Sequence, residues 1–312
     1  MLCARFLSEQ YMPELPEVET TIGFLNKRII NRRIKDVWTD SAKIIKKPAD
    51  FKIFKREIKN KKIERIWRKG KNIIFNLSEG KILLIHQKLT GHLLVGYWIM
   101  DNGYWKPKSR GFLGEKVNTY IHLLFTLDNG LMLGLSDLRK FAKVLLVSKD
   151  EFENLKDLRE LGPEPLDKTF SFEKFKERFE NKKAAKGEPR QRRGKIKQVL
   201  MDQTVIAGIG NIYSDEILWE AKIHPLENVK MLDNGKLRKI YKAMQKILKK
   251  GIELRGESFS DYRMPNGEKG GFDKYRKVYR RKGEKCSRCG ALIEKIKTGG
   301  RSAHFCPLCQ KL

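Results

Sequence analysis

At 312 residues the chain is long enough for two domains, and its 40% hydrophobic content can furnish a core. Its 67 Lys and Arg outnumber 38 Asp and Glu, and a net charge of +29 points away from a neutral small substrate and toward a polyanion. The apolar runs at 82–85 and 93–100 are short and interrupted, which argues against a membrane span, and residues 1–11 lack the h-region and cleavage site of a secretory signal.

Residues 18–28 predict a helix, with Pro16 suited to its first turn and Glu17 and Glu19 to the positive end of its dipole. From about Lys71 to Ser148, the runs IIFNL, KILLIH, HLLVGYWIM, YIHLLFTL, LMLGL and FAKVLLVS are divided by turn signals at 78–80 and 128–130. They predict antiparallel strands in a sandwich or barrel. Proline-rich LGPEPL, at 161–166, reads as an interdomain connection, and helical spacing follows at 172–179, 196–201, 212–221 and 237–253. Between Lys182 and Lys197 eight Lys or Arg residues stand against the single Glu188. Such density must face water or phosphate, as a flexible segment on the nucleic-acid side of an interdomain cleft.

Four of the five cysteines fall in the last 27 residues, as Cys286 and Cys289, then sixteen residues, then Cys306 and Cys309. Two CxxC pairs across a β-hairpin predict a closed, structural Zn2+ site, which suits a reducing cytoplasm; a redox dithiol is the weaker reading, and Cys3 is left over. A second signal runs from Lys197 to Gln203 and on through AGIGNIYSDE at 207–216. Gly208 and Gly210 allow close backbone approach, and the amides of a helix starting near Asn211 make a phosphate clamp; an ordinary helix connection is the bland alternative.

The third signal, PELPEVET at 13–20, joins these to Gly70-Lys71, Asp137-Leu-Arg-Lys-Phe141, LGPEPL, IKQVLMDQ, AGIGNIYSDE and a zinc finger containing Gly300-Arg301. In this order, from Met12 to the C-terminus, they resemble the formamidopyrimidine-DNA glycosylase family of bacteria. The resemblance implies an α+β fold: an N-terminal antiparallel β-sandwich with an N-terminal helix, a helix-two-turns-helix domain and a β-hairpin zinc finger. The corresponding division is 1–11 (extension), 12–160 (catalytic sandwich), 161–167 (linker), 168–272 (helical domain with a lesion-covering loop) and 273–312 (zinc finger). It implies a cytoplasmic, monomeric base-excision-repair enzyme acting on damaged double-stranded DNA and associating with the nucleoid when bound.

Residue by residue, the resemblance makes Pro13 the nucleophile through its amine once the initiator methionine is gone. Glu14 becomes the general acid on the sugar ring oxygen and Glu17 a supporting acid. Lys71 donates a proton during β-elimination, and Arg301 clamps phosphate and serves δ-elimination. Arg139, Phe141 and Leu89 fill the space of the flipped base, Leu89 standing where the family pattern has methionine. His122, Arg192, Lys197 and Asn211 match DNA-contacting positions. The loop 258–272, with Ser258, Asp261 and Tyr262, belongs near the flipped base. If residues 1–11 stayed attached, Pro13 would be an unreactive amide, so Met12 is expected to be the true start. The rival readings are an endonuclease VIII-like enzyme for oxidised pyrimidines, against which PELPE weighs, and a silent damage-binding protein.

Overall fold

The computed structural model describes residues 12–109, 111–180, 182–183, 189–190, 194–258 and 261–312; the extension 1–11 lies outside them. Helix α1, Leu15–Arg28, carries Pro16 in its first turn and buries Leu15, Val18, Ile22 and Leu25, one stripe at helical spacing. Two sheets follow. The first orders strands β1 (Ile34–Thr39), β9 (Ile121–Leu127), β10 (Met132–Ser136) and β6 (His92–Gly96). The second orders β2 (Ile45–Lys47), β11 (Lys143–Ser148), β5 (Lys81–His86), β4 (Asn72–Leu77) and β3 (Ile63–Lys69). Alternate apolar residues of both, with Phe54 of helix α2 (Phe51–Ile58), close a shared core containing Phe75, Ile85, Phe125 and Leu135.

The sandwich is therefore present, with three differences from the sequence reading. Strands β1, β2 and β3 precede Lys71; they are short or carry charged residues on their outward positions, which hid them. The β2–β11 pair is parallel in an otherwise antiparallel sandwich. The run HLLVGYWIM breaks at Tyr97, and its second half pairs as a hairpin, β7 (Trp98–Asp101) with β8 (Tyr104–Pro107). That hairpin has its own small core on the outer face of the first sheet, where Trp38 and Trp105 meet edge to face at 5.7 Å.

Helices α3 (Lys149–Glu153) and α4 (Lys156–Arg159) lead to the linker. The linker is docked: the Gly162 N–H donates to the Gln203 carbonyl at 2.8 Å and the Ala207 N–H to that of Pro163 at 3.0 Å. A second core gathers α5 (Phe172–Glu180), α6 (Ile196–Met201), α7 (Asn211–Ala221) and α8 (Asn234–Glu253). Residues 182–183 and 189–190 form a short pair, β12 and β13. Helix α7 is buried on nearly every side, so its lack of an amphipathic stripe follows from its central place. Last comes the hairpin of β14 (Glu294–Thr298) and β15 (Arg301–Phe305), whose flanking residues Ile293 and Cys306 pack with Trp219 and Val278. Among the described residues, no helix is long and apolar enough to cross a membrane.

Candidate active site and nucleic-acid interface

The start of α1 meets the loop between α6 and α7. Pro13 and Glu14 are buried there, and the Leu15 N–H donates to the Gly208 carbonyl at 3.0 Å. The Glu14 carboxylate accepts from the backbone N–H groups of Gly210 (2.6 Å), Ile212 (2.8 Å) and Tyr213 (3.3 Å), so it sits on the positive end of α7. Two glycines make room. A Cβ on Gly208, where φ is +92°, would lie 2.8 Å from that of Leu15, and one on Gly210 would lie 2.5 Å from the Glu14 carboxyl carbon and 2.7 Å from Lys71 Nζ. Sequence inspection gave these glycines to a ligand; the structure gives them to Glu14 and Leu15.

Burial raises the Glu14 pKa above the ordinary carboxylate value, with Lys71 and the three amides opposing. Burial lowers the Lys71 pKa, Glu14 opposing the shift and Arg301 adding to it. Glu17 accepts from the Glu14 N–H (2.8 Å), the Tyr213 hydroxyl (2.8 Å) and the Glu257 N–H (2.7 Å). Burial and then the Glu14 charge push its pKa up to about 7. Glu14, Lys71, Asn211 and Arg301 together line a cavity of about 430 Å³ between the sandwich and the helical unit. The Asn211 Oδ1 is buried there with no hydrogen-bond partner among the described residues.

A second cluster is built on Asp137. Its carboxylate accepts from the Thr90 hydroxyl and from the N–H groups of Arg139 (3.3 Å), Phe141 (2.7 Å) and Ala142 (2.8 Å). One buried acid thus joins the 88–90 turn, bearing half-buried Leu89, to the turn bearing Arg139 and Phe141. Phe141 is 50% exposed, and the Arg139 guanidinium stacks on its ring at 4.7 Å. His122 donates through Nδ1–H to Asp40 at 2.8 Å, and Lys140 reaches the same carboxylate at 3.6 Å. Lys197 is fully buried and paired with Asp215, which places it behind the cavity wall. Arg192 lies outside the described residues.

Three family models match in register with this architecture. Residues 12–144 match the formamidopyrimidine-DNA glycosylase N-terminal domain, 161–263 its H2TH domain, and 283–312 the zinc finger found in FPG and IleRS. The formamidopyrimidine-DNA glycosylase of Pelotomaculum thermopropionicum is 38% identical over 301 residues, covering 96% of this chain and all of that protein. The chain belongs to the formamidopyrimidine-DNA glycosylase family. The corresponding Desulforamulus reducens protein is 37% identical, covering 96% of this chain and 99% of its own length. Two Lactococcus lactis structures superpose over 96% of this chain and the whole of theirs. One is an FPG variant with a Fapy-dG-containing DNA (TM-score 0.81, 33% identity), the other Fpg with an abasic-site DNA (0.79, 34%).

The zinc finger of this glycosylase-family chain leaves its four cysteines free of disulfides, with ligand atoms within 4.8 Å of one another. Two CxxC knuckles converging this closely fit one structural Zn2+ in tetrahedral coordination. Several residues that the sequence reading left without a role organise the site. Glu164 of LGPEPL accepts from the Gly70 N–H at 2.6 Å and from Arg68, which also holds Glu19 at 2.8 Å, so the linker braces the turn that presents Lys71. Glu19 thus serves an ion pair as well as the helix dipole. Glu216 accepts three N–H groups from residues 277–279 at 2.8–3.0 Å and docks the approach to the zinc finger. In the loop beyond α8, Tyr262 is buried and donates to the Glu17 carbonyl at 3.1 Å, while Ser258 accepts from the Gly270 N–H at 2.8 Å. Asp261 lines a separate hollow with Leu138 and Arg263, and burial raises its pKa.

Proposed function

We propose that this chain is a bifunctional base-excision-repair enzyme that releases oxidised purines from duplex DNA and then cuts at the resulting abasic site. The observation that carries the reading is the setting of Pro13, buried beside a carboxylate that the amides of Gly210, Ile212 and Tyr213 hold next to Lys71. A proline at a free N-terminus has an amine whose pKa lies near the α-amino value of about 8, so a usable fraction is neutral at physiological pH. That nitrogen bonds to the anomeric carbon of the damaged nucleotide as the glycosidic C–N bond breaks, and the departing base takes up the proton that the new ammonium gives up. Glu14, protonated more readily than a surface carboxylate, supplies the proton to the ring oxygen. The iminium that forms on Pro13 then loses the 3′ and 5′ phosphates by successive β- and δ-elimination, with Lys71 and Arg301 as proton carrier and phosphate clamp.

Arg139, Phe141 and Leu89 occupy the gap left by the flipped nucleotide, and their shared support on Asp137 favours their acting together. Asn211 and Arg301, lining the cavity, suit backbone phosphates, as do His122 and Arg192 by position in the family pattern, whereas Lys197, buried against Asp215, supports this wall from behind. The working division is catalytic sandwich 12–160, linker 161–167, helical domain 168–272 and zinc finger 273–312, in a monomer acting in the cytoplasm on nucleoid DNA. Met12 is the functional start, its removal freeing Pro13. Borohydride trapping on duplexes containing 8-oxoguanine or an oxidised pyrimidine tests the whole reading. A covalent adduct preferring the purine lesion, lost in Pro13→Gly, is the expected result. Preference for the pyrimidine makes it an endonuclease VIII-like enzyme, and no adduct leaves a silent damage-binding protein. Active protein whose intact mass retains residue 1 overturns the role of Pro13.

A further inference from the structure

The proposed clamp, Arg301, begins β15 and is exposed, so its own packing does not fix where it points. A buried charge cluster lies beneath its strand. Lys197 of α6, Asp215 of α7 and His304 of β15 are 0%, 1% and 2% exposed. Asp215 Oδ1 pairs with the Lys197 ammonium, and Oδ2 accepts from both the backbone N–H of His304 (2.9 Å) and its Nδ1–H (3.0 Å). Lys197 also donates to the Asn211 carbonyl at 3.4 Å. Burying such charges is costly before pairing, and apolar side chains of similar volume would hold the elements together equally well. What apolar groups lack is direction. A carboxylate offers two oxygens with fixed separation, and here each serves a different element.

The far end of the hairpin is anchored on α6 as well. Gly299 lies so close over Gln198 that a Cβ there would sit 2.1 Å from its Nε2. Arg301 is bracketed between that contact and His304. The metal-ligand end has separate ties to α7, from Trp219 Nε1 to Cys286 Sγ at 3.4 Å and from Arg288 to the Trp219 carbonyl at 3.0 Å, but these lie at the opposite end of the hairpin. We propose that Asp215 is a positioning residue: through Lys197 and His304 it sets where Arg301 enters the cavity relative to Asn211. This inference rests on the role proposed above for Arg301, and it adds the element that aims it.

His304→Phe removes the Nδ1–H bond while keeping an aromatic ring and the backbone bond; Asp215→Asn is the stronger perturbation but strands a buried ammonium. On an 8-oxoguanine duplex, His304→Phe is expected to lower δ-elimination product about five-fold relative to β-elimination product. Borohydride adduct should stay within about two-fold of the parent, and zinc at one per chain. Amide hydrogen exchange at 301–304 should accelerate about tenfold relative to that at 286–290, a change that needs no turnover. Parental exchange, or a parental product ratio in protein that forms the adduct, overturns the inference. A parent that forms no adduct sinks the proposed function instead, and the exchange comparison then decides the positioning claim alone.

Discussion

Glu14 and Asp137 are both buried acids that hold their surroundings through backbone N–H groups, yet they act over different distances. The partners of Glu14 are 196 to 199 residues away, across the two domains, whereas those of Asp137 lie 2 to 47 residues away within one. The floor of the cleft is therefore set by the docking of sandwich on helical unit, and its rim by local turns on a rigid sheet. A change at the floor should disturb chemistry and domain docking together. A change at the rim should spare the chemistry on a site that no longer holds a base.

The largest expected effect is at the floor. Gly210→Ala places a Cβ 2.5 Å from the Glu14 carboxyl carbon and 2.7 Å from Lys71 Nζ, so the methyl must displace the carboxylate that the α7 N-terminus holds. Overpacking of this kind costs about 1–3 kcal/mol of stability. Displacing the acid should cost more, about 4 kcal/mol of transition-state stabilisation, or roughly a thousandfold in base release. Single-turnover assays with the abasic-site duplex should show a loss within about tenfold of that for the lesion duplex, and an abasic-site rate equal to the parent's would separate Glu14 from the floor. Asp137→Ala is the matching cut at the rim and removes the acceptor for three amides and the Thr90 hydroxyl. Unsatisfied buried donors cost about 1–3 kcal/mol each, partly relieved here by water at the turn, so a stability loss of about 3 kcal/mol is expected. Base release should fall about a hundredfold and abasic-site cleavage less than about tenfold. Equal losses on the two substrates would erase the distinction between floor and rim.

Glu17 sharpens the floor by its titration. Its carboxyl is pushed up to about 7 in the folded protein from the ordinary 4.5. The folded state therefore holds the proton more tightly, and stability from this group is complete below about pH 4.5 and lost as pH rises through about 7. Denaturant melts across that window should show a decline of up to about 3 kcal/mol in the parent. In Glu17→Gln that decline should be absent, whatever the fixed cost of giving Tyr213, Glu14 and Glu257 a poorer acceptor. Parallel pH profiles for the two proteins would show that Glu17 does not carry this proton.

What was legible in the sequence divides along the same line. PELPEVET, the CxxC knuckles and the Asp137–Phe141 run are each contiguous, so the family resemblance they carry could be read directly. The helices of the second domain were found to within a few residues, α5, α6 and α8 because their apolar residues repeat at helical spacing, and α7 because its start follows the Gly208–Gly210 turn. Glu164, Asp215 and Glu216 could be seen only as charges, since their partners are 94, 89 and about 62 positions away and leave no periodic trace. Strand β3 escaped for a different reason. Its residues IERIWRK show apolar Ile63 and Ile66 three apart, the spacing of a helix face, and its register shifts between Ile63 and Arg65, which breaks the twofold alternation that identifies a strand.

The smallest effect comes from the rim's exposed tip, and it tests the comparison most directly. Phe141 is half exposed and packs chiefly against the Arg139 guanidinium, so Phe141→Ala should change stability by less than about 0.5 kcal/mol. If the ring wedges between base pairs, its loss costs the stacking that offsets base extrusion, about 1–3 kcal/mol for a base on an aromatic face. Base release should therefore slow roughly tenfold, with cleavage of an abasic site, which has no base to extrude, nearly unchanged. A ring needed only to hold Arg139 would be replaceable by Leu with parental rates. Phe141→Leu should instead recover only part of the loss, because an aliphatic side chain can fill the gap but cannot stack across it.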